Sequence, residues 1–397
     1  MNYILFDNFR RNYLFPLTFM RPACDIRVGI LTIREKWERY LDTTTSTLTE
    51  PYLGDKYPIR KEAENILING SILPTMELAG QVASLRPRQA LIQDNTIVAI
   101  HVSEEELLGS ADQLEKEKDG VEEIPTGSPF LKINHPYDVF RLNDQAIRED
   151  FAVLAHNRSS AGISSDNRIT GDALFVEEGA HVAHATINTS TGPVYIGRDA
   201  VIMEGSLIRG PFALGEQAVI KMGAKIYGGT TIGPYSKVGG EVNNSVFFSY
   251  SNKAHDGFLG NSVITEWCNL GADTNNSNLK NNYEPVRLWS YPDQTFVETG
   301  LQFCGLIMGD HSKCGINTMF NTGSVVGISS NIFGPGFQRN FIPSFSWGGT
   351  HGFSLFKLDK AIAVAERVYK RRGKVFDELE KNILKNVFDL TISNITM

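Results

Sequence analysis

The chain has 397 residues, 42% of them hydrophobic and 21% charged, which suits two to three domains with real cores. No apolar run reaches the roughly 18 residues of a membrane-spanning helix, and the first residues lack the basic and apolar stretches of a secretory signal. A net charge of −7 argues against a general nucleic-acid binder, and four cysteines (Cys24, Cys268, Cys304, Cys314) without C-x-x-C spacing indicate reduced thiols in a cytosolic protein.

Residues 3–6 and 97–102 read as strands. Residues 28–41 carry a helical stripe of Ile30, Leu31, Ile33, Trp37 and Leu41. The charged stretch 104–118 reads as a solvated helix and loop. These pieces predict a small α/β domain over 1–142. After its first strand comes Leu14-Phe15-Pro16-Leu17-Thr18-Phe19-Met20-Arg21-Pro22, with Arg10 and Arg11 just before it and Asn69-Gly70-Ser71 further on. The three arginines are candidate anion contacts; the alternative is that they are surface cations or partners of Asp7 and Asp25. A linking helix is expected within 143–160, through Ala146, Ile147, Phe151 and Leu154.

Composition changes sharply next. Residues 160–352 hold 28 of the 36 glycines, or 14.5% of that stretch, and the rest of the chain is 3.9% glycine. Steps of six from Ile196 meet Ile202, Ile208, Leu214, Ile220, Ile226, Ile232 and Val238. Two residues before most of them stands a small residue, and Gly follows at Gly197, Gly215, Gly233 and Gly239. A period of six contains the strand period of two and excludes the helical 3.6. Three hexads closing one coil give a triangular prism of stacked parallel strands over 161–352, each coil covering the aliphatics of the next. In this reading Gly supplies the corner angles. A β-sandwich of short strands is the alternative. After Val238 the run slips by two and resumes as Val246, Asn252, Phe258, Ile264 and Leu270. A non-repeating insertion occupies about 281–300. A third run is Met308, Cys314, Phe320, Val326 and Ile332, and Val176 and Val182 read as an earlier, weaker coil. Residues 353–397 read as two helices, 358–372 and 374–388, broken at Gly373. Their patch Lys370-Arg371-Arg372 with Lys374 reads as a solvated helix end before it reads as a phosphate site.

The densest chemistry lies at the break in the rhythm: Lys253-Ala254-His255-Asp256-Gly257-Phe258-Leu259-Gly260, then Asn269-Leu270-Gly271-Ala272-Asp273-Thr274. A side chain there can leave the prism wall. An imidazole suits a general base near neutrality, as acyl transfer from a thioester to an amine requires.

The hexads resemble the hexapeptide acyltransferases, which implies a left-handed parallel β-helix, a homotrimer and acyl-CoA clefts between neighbouring prisms. The segment around His255 resembles the acetyltransferase half of the bifunctional N-acetylglucosamine-1-phosphate uridylyltransferase/glucosamine-1-phosphate acetyltransferase family. By position, His255 matches its catalytic base and Glu241 the carboxylate behind it. Asn269 and Asn278 match acceptor-contacting asparagines. Asn243, Phe258 and Leu279 stand where the family has Lys, Tyr and Tyr; Asn243 and Phe258 are carried over with Lys280 as acceptor-binding positions. Gly271 and Ala272 match the backbone beside acyl-CoA. The spacing Leu14-x-Pro16-Leu17-Thr18-x-x-x-Pro22 resembles the sugar-1-phosphate nucleotidyltransferase signature. Here Phe9 and Arg11 replace its glycines, Tyr13 its Arg, Ala23 its Lys, and Ser71 the metal-binding Asp of the later motif. Arg10, Arg11 and Arg21 are then the nucleotide-binding candidates.

Two readings follow. The first is a cytoplasmic transferase with an α/β nucleotidyltransferase-like domain, a β-helix and C-terminal helices. It would pass an acyl group from acetyl-CoA to an amino-sugar phosphate in nucleotide-sugar synthesis, and use an NTP with Mg²⁺ if the first domain is active. No resident metal, nucleic acid or membrane is expected. The second reading is a non-catalytic trimeric sensor or scaffold that binds a sugar nucleotide.

Overall fold

The first strand, Asn2–Phe6, is buried along its whole length, as an interior strand covered on both faces must be. It is the second strand of a six-stranded mixed sheet ordered Ser46–Leu48, Asn2–Phe6, Glu64–Asn69, Thr96–Ser103, Gln89–Gln93, Glu122–Pro125. The first two pairings are parallel, Thr96–Ser103 is antiparallel to both neighbours, and the last pairing is parallel again. The computed structural model describes residues 1–108 and 120–392. It divides into one unit of 1–26 with 31–135 and another of 27–30 with 136–397.

The helical stripe begins later than expected, at Ile33–Leu41, where Thr32 and Glu35 form a capping box. Residues 28–30 are withdrawn from it because their backbone serves the second unit. Gly29 N–H donates to Asn143 Oδ1 (2.7 Å) and Ile30 N–H to Asp150 Oδ2 (2.7 Å). Gly29 has φ 81° and a Cβ there would meet Asp150 at 2.5 Å, so no other residue fits. A helix at Met76–Ala83, capped by Thr75, was not foreseen. Of the charged stretch, a short 3₁₀ turn at Glu106–Leu108 is seen; 109–118 lie outside the described residues.

The linking helix is Asn143–Ala155. Beyond it stands the expected parallel β-helix. One face runs from Leu174–Val176 to Phe341–Ile342 and a second from His181–Val182 to Ser346–Gly349. The third runs from Arg168–Thr170 to Phe258–Gly260 and continues in the pair Asn275–Asn276 with Met319–Phe320. The coils repeat at 18 residues: Ile196 pairs with Leu214 and Leu214 with Ile232, and Ile202 with Ile220 and Ile220 with Val238. All eight hexad aliphatics belong to one buried core, with Val176, Val182 and the whole third run.

Two expectations need correction. After Val238 the interior positions are Phe247, Lys253 and Leu259, one residue beyond Val246, Asn252 and Phe258, before Ile264 and Leu270 rejoin the reading. The cause is coil length. Only Gly239 and Gly240 separate Val238 from the next strand, Glu241–Asn243, where the other corners of that edge use four residues, or three at 183–185. Also, Gly197, Gly215 and Gly233 do not supply the left-handed angle. That falls two residues later, on Asp199, Gln217 and Tyr235. The glycines are needed because the neighbouring coil leaves no room: a Cβ on Gly233 would lie 2.1 Å from the Phe248 carbonyl.

The left-handed corner residues continue as Tyr250, Trp267 and His311, and their rings stack. Tyr235 and Tyr250 have centroids 4.7 Å apart, and Tyr250 and Trp267 4.2 Å. The helix Leu358–Arg371 packs on this ladder through Tyr369, 4.0 Å from Trp267. The second C-terminal helix starts later than expected, at Glu378–Thr391, and contributes Phe388 against Phe345. Ser346–Gly349 and Gly352–Leu355 form a hairpin that ends the prism, and the 281–300 insertion holds a second hairpin, Arg287–Ser290 with Thr295–Glu298. The four cysteines are free and buried. No described helix is long and apolar enough to cross a membrane.

Candidate active site

The shortened corner shapes the site. With two residues missing from the wall at Gly239-Gly240, the next corner, Ala254-His255-Asp256-Gly257, stands beside a recess. Gly240 has φ 75°, and a Cβ on it would press within 2.7 Å of the Gly257 carbonyl. The result is a hollow of about 620 Å³ whose lining includes Met222, Gly239, Gly240, His255, Asp256 and Ala272. On the other side of His255 lies a groove of about 550 Å³. His255 is exposed and lines both. Among the described residues its ring has no hydrogen-bond or ion-pair partner, so its nitrogens are available.

The second groove is cationic. Lys237 and Lys313 rise from the prism face, and Arg371 and Arg372 come from the end of the helix Leu358–Arg371 and the residue after it. Tyr250 and Trp267 line the same groove. Arg372 donates to Asn252 Oδ1 (3.1 Å), and the Lys374 ammonium lies 5.2 Å from the Tyr250 ring. The lysine pKa values show burial at both lysines and crowding by other cations at Lys237. Burial, then the charges of Arg372, Lys221 and Arg371, lower that of Lys237. Burial pushes Lys313 down to about 8, although its Nζ donates to the His311 carbonyl (2.7 Å). Cations that depress one another form a site suited to an anion.

The carried-over positions divide. Asn269 lines the cationic groove with His255, and Ala272 lines the hollow. Gly271 stacks so closely on the next coil that a Cβ would lie 2.4 Å from Gly315. Glu241 pairs with Lys225 and Phe258 along the adjoining wall and makes no bond to His255. Asn243 shares its strand. Asn278 donates to Asn261 Oδ1 (2.8 Å) and packs with Phe258 over Gly260. Lys280 donates to the Pro285 carbonyl (2.8 Å) in the insertion. The sequence reading missed Lys237, Lys313, Tyr250 and Trp267. It took Arg371 and Arg372 for a solvated helix end; they face the groove.

The N-terminal candidate is closed by its own side chains. Arg11 is buried, with Nε 3.2 Å from Asp7 Oδ2, and its guanidinium donates to the Thr18 carbonyl and to Tyr52 Oη (2.9 Å). Asp7 also accepts from Ala23 N–H (2.9 Å) and Thr49 Oγ1 (2.6 Å). Burial raises its pKa against the pull of Arg11. Arg21 is buried and donates to the Leu17 carbonyl (3.0 Å). Arg11 and Arg21, expected as nucleotide contacts, are thus spent within the fold; Arg10 stays exposed. The hollow lined by Asp7, Asn8, Arg10, Asn69 and Ser71 measures about 10 Å³, room for a single water. Asn69 Oδ1 accepts from Ser71 N–H (3.1 Å) and Oγ (2.7 Å), closing the turn where a metal-binding Asp would stand. These residues do not fit Mg²⁺ or a triphosphate. Among the described residues no cluster of three His, Cys, Asp or Glu side chains is placed to hold a metal ion.

Residues 3–159 match the family described as sugar nucleotidyl transferase. A stretch of 148 residues is 34% identical to the uncharacterized acetyltransferase YaiX of Escherichia coli O6:K15:H31, covering 37% of this chain and 64% of that protein. Another of 87 residues is 34% identical to the bifunctional protein GlmU of Methanocaldococcus jannaschii, covering 22% and 21%. The chain therefore spans under two thirds of these relatives. Among solved structures, the polySia-specific acetyltransferase NeuO aligns over 53% of this chain and 99% of its own, at 12% identity and a TM-score of 0.29.

Proposed function

We propose that the chain is a GlmU-like member of the bifunctional transferase family and that its β-helix transfers an acyl group from acyl-CoA to a phosphorylated amino sugar at His255. The observation that carries this is the placement of one unpartnered imidazole between two open cavities of different character. The hollow, walled by Gly239, Gly240, Met222 and Ala272, suits the slender acyl-pantetheine arm. The groove with Lys237, Lys313, Arg371 and Arg372 suits the phosphate of the acceptor, and it supplies the cationic charge that Asn243 lacks. In the transfer, the acceptor nitrogen attacks the thioester carbonyl carbon. His255 takes the amine proton, the C–N bond forms and the C–S bond breaks. The imidazolium then protonates the leaving thiolate, which departs as CoA thiol. Acetyl-CoA is the first donor to try. A cytoplasmic homotrimer, as the resemblance implies, would bring neighbouring prisms against the open cavities.

The test is release of free thiol from acetyl-CoA with a panel of amino-sugar 1-phosphates and nucleotide-linked amino sugars, repeated in His255→Ala. No release with any acceptor, or an unchanged rate in the variant, overturns the reading. For the N-terminal unit we infer a degenerate site that turns over no NTP, because the Arg11–Asp7 pair fills the place of the triphosphate. Pyrophosphate release from UTP or dTTP with any sugar 1-phosphate would overturn that.

A further inference from the structure

The floor of the cationic groove is a single row of side chains. Lys237, Asn252, Asn269 and Lys313 stand in register on successive coils, so the two lysines lie about 14 Å apart at the strand spacing of a sheet. His255 follows the strand Asn252–Lys253 and is level with the second of these coils. Arg371 and Arg372 overhang the Lys237 end, where Arg372 donates to Asn252 Oδ1 (3.1 Å).

The row therefore carries two separate cationic points. At the first, burial and then Arg372, Lys221 and Arg371 lower the pKa of Lys237. At the second, burial alone lowers that of Lys313, against the Cys268 thiol. Among the described residues no carboxylate lines the groove, and none of the four cations forms an ion pair. Cations gathered in this way are balanced by a bound anion. One phosphate does not serve both points. An amino-sugar 1-phosphate with its amine at His255 offers one anionic group to one end of the row and leaves the rest of the floor unused. The rings beside the row do not fill that gap by stacking on a ligand. Tyr250 stacks on Tyr235 and Trp267, and Trp267 on Tyr250 and Tyr369. Their faces are taken, so polar groups must carry the affinity.

We propose that the acceptor is an amino sugar already joined to a nucleoside diphosphate: its two phosphates lie between Lys237, Arg371 and Arg372, its nucleoside continues over Asn269 towards Lys313, and its amine reaches His255. Guanidinium groups favour charge-assisted, bidentate contacts with phosphate oxygens. Asn269 and Lys313 offer N–H donors to the ribose hydroxyls and base carbonyls beyond. Nucleotidyl transfer then comes before acylation. With the N-terminal site closed by Arg11 and Asp7, a separate sugar-1-phosphate nucleotidyltransferase must supply this substrate. The inference rests on the acyltransferase reading for the reacting amine, and the binding claim stands without it.

The experiment has three arms on the full chain. Calorimetry compares UDP, dTDP, CDP, GDP and ADP with the matching monophosphates. At least one diphosphate should bind about tenfold or more tighter than its monophosphate, the scale of an added charge-assisted hydrogen bond. Lys237→Ala, at an exposed position, should close most of that gap. Equal affinities within every pair, or a gap unchanged in the variant, overturn the proposal. The second arm repeats the titration in saturating acetyl-CoA and should give the same affinity; displacement of the diphosphate by acetyl-CoA assigns the groove to the donor and overturns the proposal. In the third, kcat/KM for thiol release should favour a nucleotide-linked amino sugar over the amino-sugar 1-phosphate by about tenfold or more. A preference for the 1-phosphate overturns the proposal and leaves the acyltransferase reading standing. Diphosphate binding that needs Lys237, without thiol release to any acceptor, overturns the acyltransferase reading and leaves the groove assignment standing.

Discussion

Lys253→Met makes a thermodynamic prediction that needs no substrate. Burial lowers the folded pKa of Lys253 from 10.5 to about 8. Between those values the unfolded chain binds a proton that the folded chain does not, so wild-type stability gains from this group as pH rises. Below pH 8 both states are charged and the full cost is present. Each unit of pH in the window corresponds to about 1.4 kcal/mol, so the charge destabilises the fold at pH 7 by about 3 kcal/mol. The substitution has an opposing, pH-independent part, because the Gly239 and His255 carbonyls lose a donor, at about 1–3 kcal/mol for a buried acceptor. The absolute difference at one pH is therefore a poor test. The difference between variant and wild type should instead move by about 3 kcal/mol between pH 7 and pH 10.5, with the advantage of the variant greatest at pH 7. Urea unfolding of both proteins at half-unit steps measures it, and common titrations cancel in the subtraction. A difference that stays flat across this window would refute the argument that an uncompensated ammonium lies in the core.

The other predictions concern the groove and the N-terminal unit. Arg372→Ala should raise KM for the phosphorylated acceptor roughly tenfold to a hundredfold, the scale of a lost charge-assisted hydrogen bond, and leave KM for acyl-CoA unchanged; the reverse pattern would exchange the roles of the two cavities. Because Lys313 has been pushed down to about 8, the free site loses a cation above that pH. Acceptor affinity should then fall as pH rises past 8, by up to about tenfold per unit, with proton uptake on binding detectable by calorimetry in buffers of different ionisation enthalpy. Arg11→Ala strands the buried Asp7 carboxylate and should destabilise the N-terminal unit by about 3–5 kcal/mol in denaturant unfolding, with thiol release at the β-helix retained.

What the sequence made legible follows from period. Ile196 to Val238 announced their coils because an aliphatic every sixth residue has one simple solution, and the structure buries all of them. Coil length was not legible in the same way. Val246, Asn252 and Phe258 satisfy a six-residue step as well as Phe247, Lys253 and Leu259 do, and a lysine gives no apolar signal to prefer the second set. The groove was hidden for another reason. Arg372 reaches Asn252 across 120 residues of sequence, and nothing in Lys370-Arg371-Arg372 distinguishes a helix end facing a pocket from one facing water. In the N-terminal unit the missing glycines of the loop were visible, but the consequence, a buried Arg11 paired with Asp7, required the structure.

The two absent residues at Gly239-Gly240 connect these features. A corner of ordinary length would cover the Ala254–Gly257 edge with its own backbone, and His255 would be one more surface side chain on a flat wall. Shortening the corner opens the hollow, and it also brings the Gly239 carbonyl down over the following coil, where it has no strand partner of its own. Lys253 supplies the donor that this carbonyl and that of His255 require. An aliphatic residue in its place would keep the stack and leave both acceptors bare. The lysine, the glycine pair and the exposed imidazole are thus consequences of one local change in coil length. Restoring two residues between Val238 and Glu241 should therefore remove the hollow, the demand for Lys253 and the activity together, while the 18-residue coils before it remain folded.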